Sequence, residues 1–132
     1  MATLDTQRAL KAASEDNEFK LAARHWNADL RLDVADEKYL VRVREGLLRE
    51  FRELQPAEVG SLHPAALISA PRDEWVEFLK PVPRPFFQDL MAALTRQGFH
   101  FEAADPVSFH PYYRAISRLF ELMRVYSADR ER

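Results

Sequence analysis

The stretch WNADLRLDV, residues 26–34, alternates without a break. Trp26, Ala28, Leu30, Leu32 and Val34 are separated by Asn27, Asp29, Arg31 and Asp33. A helix cannot use a period of two, whereas a strand puts its odd residues on one face and its even residues on the other. Nine residues of this pattern demand a sheet with one face buried and one in water. The chain must therefore supply partner strands and a layer to cover the apolar face.

Both follow in the sequence. ADEK is a turn, and YLVRV places Tyr39, Val41 and Val43 on one face. REG turns again, with Gly46 free to take a positive φ. LLREFREL is a third strand with a less regular pattern. QPAEVGSLHP reads as loop, AALISA as a short buried strand, and FHFEA as a fifth. The helices stand before and after. LDTQRALKAASEDNEF is a first helix with a weak apolar face, and EFKLAARHW extends it. Pro71 suits the first turn of a helix running to about Lys80, with Asp73 and Glu74 at its positive end. PVPRP ends it. A second helix starts near Pro85 with Phe86, Phe87, Leu90, Met91 and Leu94 on one face, and Gly98 stops it. In the last helix Ser108 is the expected N-cap, which puts Pro111 in the first turn. Phe109, Tyr112, Tyr113, Ile116, Leu119, Phe120 and Met123 share one face of it. Strands grouped first and helices later imply an α+β fold: a five-stranded, mainly antiparallel sheet with helices on one face.

The 132 residues suit one domain spanning 1–132, large enough to bury a core without a disulfide or metal staple. Residues 1–64 hold 10 basic and 12 acidic side chains and the remainder 9 of each, so no nucleic-acid partner is expected. With no cysteine, no apolar leader and no long apolar run, a cytoplasmic protein with no transmembrane segment is expected.

Candidate chemistry is sparse. There is no nucleophile elbow, phosphate-cradling glycine loop or dinucleotide fingerprint, and no cofactor or metal is expected. His100 and Glu102 share one side of a short strand, which permits an acid–base pair but more often marks a solvated face. His110 is expected to be exposed. Asp29, Asp33, Asp36 and Glu37 are assigned to the polar face of the first hairpin, as a cation cluster at most and a solvated face by preference. The uneven feature is the aromatics. Of fifteen, only Phe19, Trp26, Tyr39 and Phe51 precede residue 75. The other eleven lie in the layer that covers the sheet. They fill a core, or they line a small-molecule pocket with adaptable methionines among them.

Three runs carry a family resemblance: WNADLRLDVADEKYLVRVREGLLREF, AALISAPRDEWVEFLKPVP and LTRQGFHFEAAD. Together with the element order they resemble small bacterial members of the sterol carrier protein type 2 family, from about Phe19 to Met123. The chain departs from that pattern at two turns. Ala103, Ala104 and Asp105 stand where the family usually ends a strand in Gly-Asp, and Ala35 stands where glycine is expected. The resemblance implies an apolar tunnel between sheet and helices that takes a lipid or other hydrophobic small molecule without catalysis. The positions on matching elements are Trp75, Phe78, Phe86, Leu90, Met91, Leu94, Phe109, Tyr113, Ile116 and Phe120. Two alternatives stand beside it. One is a small isomerase- or cyclase-like enzyme using His100 and Glu102 in an apolar pocket. The other is an interaction module whose aromatic helices dock a partner or form a homodimer.

Overall fold

A computed structural model describes residues 3–80 and 98–131. The predicted helix that starts near Pro85, with Phe86, Phe87, Leu90, Met91 and Leu94, lies outside the described residues.

The alternating stretch is strand β1 (Ala28–Val34), followed by β2 (Glu37–Arg44) and β3 (Leu47–Glu53). β2 pairs antiparallel with both neighbours. Strand β4 (Ala66–Ala70) returns across the sheet to pair parallel with β1, and β5 (His100–Ala103) adds antiparallel to β4. The order is β3-β2-β1-β4-β5, an open mixed sheet with one parallel pair. The β2–β3 turn is a two-residue loop with Glu45 at φ 54° and Gly46 at φ 76°, both left-handed as a type I′ turn requires. A Cβ on Gly46 would stand 2.9 Å from the Cα of Arg24, so this turn also seats against the segment before β1. Ala35, in the β1–β2 turn, holds φ 54°. The backbone there retains the left-handed conformation that glycine would adopt without strain.

The irregular pattern of β3 has a local cause. Arg42 pairs with Glu50 and Val43 with Leu48, so Arg49 bulges out of the ladder. Leu48 and Phe51 are three apart in sequence yet both buried.

Helices α1 (Thr6–Glu15), α2 (Asn17–Ala23), α4 (Arg72–Phe78) and α6 (Tyr113–Glu131) supply apolar side chains to one core with the sheet. The expected single first helix is divided. Asp16 takes an extended conformation and its carboxylate accepts the N–H of Phe19 at 2.7 Å, so it ends α1 and caps α2. The same carboxylate accepts two hydrogen bonds from Arg118 of α6, at 2.9 and 3.0 Å. The expected loop after β3 contains a one-turn helix, α3 (Pro56–Val59), closed by a Gln55–Glu58 capping box. Pro71 is the N-cap of α4 rather than its first residue. The closing segment also starts earlier than expected. A turn of helix, α5 (Pro106–Phe109), precedes a 3₁₀ turn over His110–Tyr112, and α6 follows. Ser108 therefore lies inside a helical turn instead of capping one, and Pro111 is accommodated by the 3₁₀ turn.

The opposite face of the sheet is a lattice of ion pairs. Arg42 bridges Asp29 and Glu50 at 2.9 Å each, Arg31 holds Asp33 at 2.8 Å, and Arg52 holds Glu58 at 2.8 Å. Leu40 lies on this face, since Tyr39 and Val41 point the other way. It is nevertheless buried. Its direct cross-strand neighbours are Arg31 and Arg52, whose aliphatic stems can cover it while their charges stay in water.

Candidate functional site

Strand alternation aims Leu30, Leu32, Val41 and Ile68 at the helical layer, and all are buried. Opposite them, α4 and α6 contribute Trp75, Phe78, Ile116 and Phe120, also buried. Trp75 and Phe78 are three apart on α4, and Ile116 and Phe120 four apart on α6, so each pair shares a helix face.

The aromatic residues form two groups. In the first, Trp75 and Phe78 pack edge-on against Phe120 at 5.7 and 5.3 Å between ring centroids. Phe99, just before β5, closes the group at 4.9 Å from Trp75 and 5.1 Å from Phe78. The second lies near β5. Phe109 meets Phe101 at 5.2 Å and Trp26 at 5.9 Å, while Trp26 stacks flat on Tyr112 at 4.7 Å. Such edge-to-face and offset contacts are favourable beyond the area they bury. Phe99, Phe101 and Trp26 were not among the sequence-derived wall positions. The FHFEA alternation was the signal that pointed Phe99 and Phe101 inward.

Of the ten wall positions, Trp75, Phe78, Phe109, Ile116 and Phe120 are thus brought onto the sheet-facing side. Tyr113 is half-buried and also borders an open groove between α2 and α6. The polar tip of Trp75 is occupied, because its indole N–H donates to the carbonyl of Asp33 at 2.8 Å. Arg124 fixes the other end of α4. It donates to the carbonyl of Phe78 at 2.7 Å and sits 4.6 Å above the Phe78 ring.

A polar cluster lies at the edge of this core, and it corrects the sequence reading of Glu37. Glu37 shares the inward face of β2 with Tyr39 and is buried. Its carboxylate accepts the Tyr39 hydroxyl, the Thr3 N–H and hydroxyl at 2.7 Å each, and the Arg72 guanidinium. Burial alone would raise its pKa, but these donors together hold it at about 2. Burial, and then the hydrogen bond it donates to Glu37, push the Tyr39 hydroxyl up. The cluster ties the chain start and α4 to the first hairpin. Of the other carboxylates in the candidate cation cluster, Asp29 pairs with Arg42 and Arg44 and Asp33 with Arg31 and Lys38, while Asp36 is exposed.

His100 and Glu102 stand 3.1 Å apart on β5 with side chains 63% and 65% exposed. They lie in water, on the side of β5 away from Phe101. His110 is exposed as expected.

No family model matches the sequence, and comparison with curated proteins finds no match. Solved structures do match. A crystal structure of sterol carrier protein 2 superposes with a TM-score of 0.72 at 19% identity, covering 90% of this chain and 92% of that one. A conserved hypothetical protein from Thermus thermophilus, described as a candidate sterol carrier protein, gives 0.68 at 19% identity over 91% and 84%. The UbiJ-SCP2 ubiquinone synthesis protein gives 0.57 at 7% identity over 89% and 90%. With its five-stranded mixed sheet and covering helices, the chain has the fold of sterol carrier protein 2.

Proposed function

We propose that this protein binds and carries a lipid or other hydrophobic small molecule between its sheet and its helices, without performing chemistry on it. The observation that carries the reading is the apolar, aromatic-rich lining of the helical layer, on a fold shared with a protein named as a sterol carrier. The wall is formed by Trp75, Phe78, Phe109, Ile116 and Phe120, with Tyr113 at its margin. The family resemblance assigns Phe86, Leu90, Met91 and Leu94 to the same wall. An apolar ligand enclosed there gains about 25 cal/mol for each Å² withdrawn from water. With the Trp75 N–H committed to Asp33, selectivity rests on shape and apolar area more than on a head-group contact.

The enzyme alternative loses its setting, because His100 and Glu102 are on the open surface and not against the buried aromatics. The test is titration with a fluorescent fatty acid and a fluorescent sterol. Uptake should be saturable at one site per chain, and Phe86→Asp should abolish it. A Phe86→Asp protein that stays folded and binds both probes as tightly as the parent would show that the wall is wrongly placed.

A further inference from the structure

On the side of α6 away from the sheet, α2 and α6 leave an open groove of about 470 Å³. Its half-buried lining is Ala22, Tyr113, Ser117 and Arg118, of which Ala22 and Ser117 are small, and the Ser117 hydroxyl is buried without a hydrogen-bond partner. At its margin stands Leu21, 64% exposed, one of the few large apolar side chains in water among the described residues. Its charged lining is balanced, with Glu18 and Glu121 against Arg114 and Arg118. Arg118 is bound down by Asp16, whereas Arg114 is 82% exposed and only 4.0 Å from Glu18 at its nearest. The outward stripe of α6 runs on through Arg114, Arg118 and Glu121 to Val125, which is 56% exposed.

We propose that this groove is the contact surface of a symmetric homodimer. Two features select a second copy over other occupants. An isologous contact sets one patch against itself, so the patch must carry both knob and hole. Leu21 is the knob, and the hollow over Ala22 and Ser117 is the hole. A patch facing itself must also have no net charge, or it repels its own copy. Two acidic and two basic side chains meet that condition, while a groove selected for a charged partner would be biased to one sign. From Arg114 to Val125 the stripe is about 17 Å long at 1.5 Å per residue. That places the contact at the small end of specific interfaces, so the dimer is weak and concentration-dependent.

The test is sedimentation velocity on the intact chain from roughly 5 to 500 µM. The wild-type mass should move toward twice the chain mass across this range. E18R makes the charged lining +2 and R114E makes it −2, so each variant alone should dimerise at least tenfold more weakly. A one-to-one mixture of the two sets a positive patch against a negative one and should restore association. L21S should weaken it without changing charge. Circular dichroism checks that each variant is folded. Three outcomes overturn the proposal: a monomer at every concentration, which leaves the groove to a small molecule or another protein; a dimer indifferent to E18R, R114E and L21S, which places the contact elsewhere; or single variants that weaken the dimer while their mixture fails to restore it.

Discussion

Glu37→Gln should cost this protein stability in a pH-dependent way. The substitution keeps the size of the side chain and leaves a carbonyl that can still accept from Tyr39 and from Thr3. It removes the charge that faces Arg72. The native carboxyl titrates at about 2 against an ordinary 4.5, a fall worth about 3 kcal/mol at 1.36 kcal/mol for each pH unit. Arg72 is 54% exposed and its contribution is screened by water, which brings the expected loss to about 2 kcal/mol. A carboxyl depressed in the folded state stabilises above its unfolded pKa, and that stability fades as pH falls from 4.5 toward 2. Urea unfolding of parent and variant should therefore differ by about 2 kcal/mol at pH 7 and pH 5.5, with the gap closing progressively below 4.5. A gap that stayed constant down to pH 3 would show that packing, not charge, was lost. No gap at pH 7 would show that the cluster contributes nothing.

Other expectations follow from the same structure. Tyr39→Phe removes a donor to the Glu37 carboxylate and an acceptor for the Leu4 N–H, and should cost about 1–2 kcal/mol in urea unfolding. Ala35→Gly relieves a left-handed alanine and should raise the thermal midpoint by about 3 °C, while Gly46→Ala should lower it, because its Cβ meets the backbone of Arg24. Arg118→Ala leaves Asp16 without its α6 partner and should cost about 1–2 kcal/mol, where Arg114→Ala, exposed and loosely paired, should cost less than 0.5.

The parts of the fold that were legible are those set by local period. The alternation of Trp26–Val34 and of Tyr39–Val43 fixed which face of each strand is buried, and Gly46 took its expected place in the hairpin turn. The misreadings arose where a side chain acts across the fold. Glu37 looks like a hairpin surface residue until Thr3 and Arg72, far away in sequence, arrive to hold it. Asp16 divides a good helix-forming stretch because it is anchored to Arg118, 102 residues away. The bulge at Arg49 hid the pattern of β3, and the placement of β4 beside β1 is a long-range choice that no period reports. The buried aromatics of the helical layer were visible as an excess of aromatics after residue 75. Their division into two groups was not, because Phe99 and Trp26 join from outside the helices.

The measurement closest to the central claim is native mass spectrometry of gently purified protein, followed by denaturation and identification of what is released. The account predicts a mass above that of the chain, set by a co-purifying lipid or other hydrophobic molecule, or else ready uptake of fatty acids or sterols by the empty protein. A clean chain mass, with no uptake of either ligand class, would contradict it and leave the aromatics as a solid core.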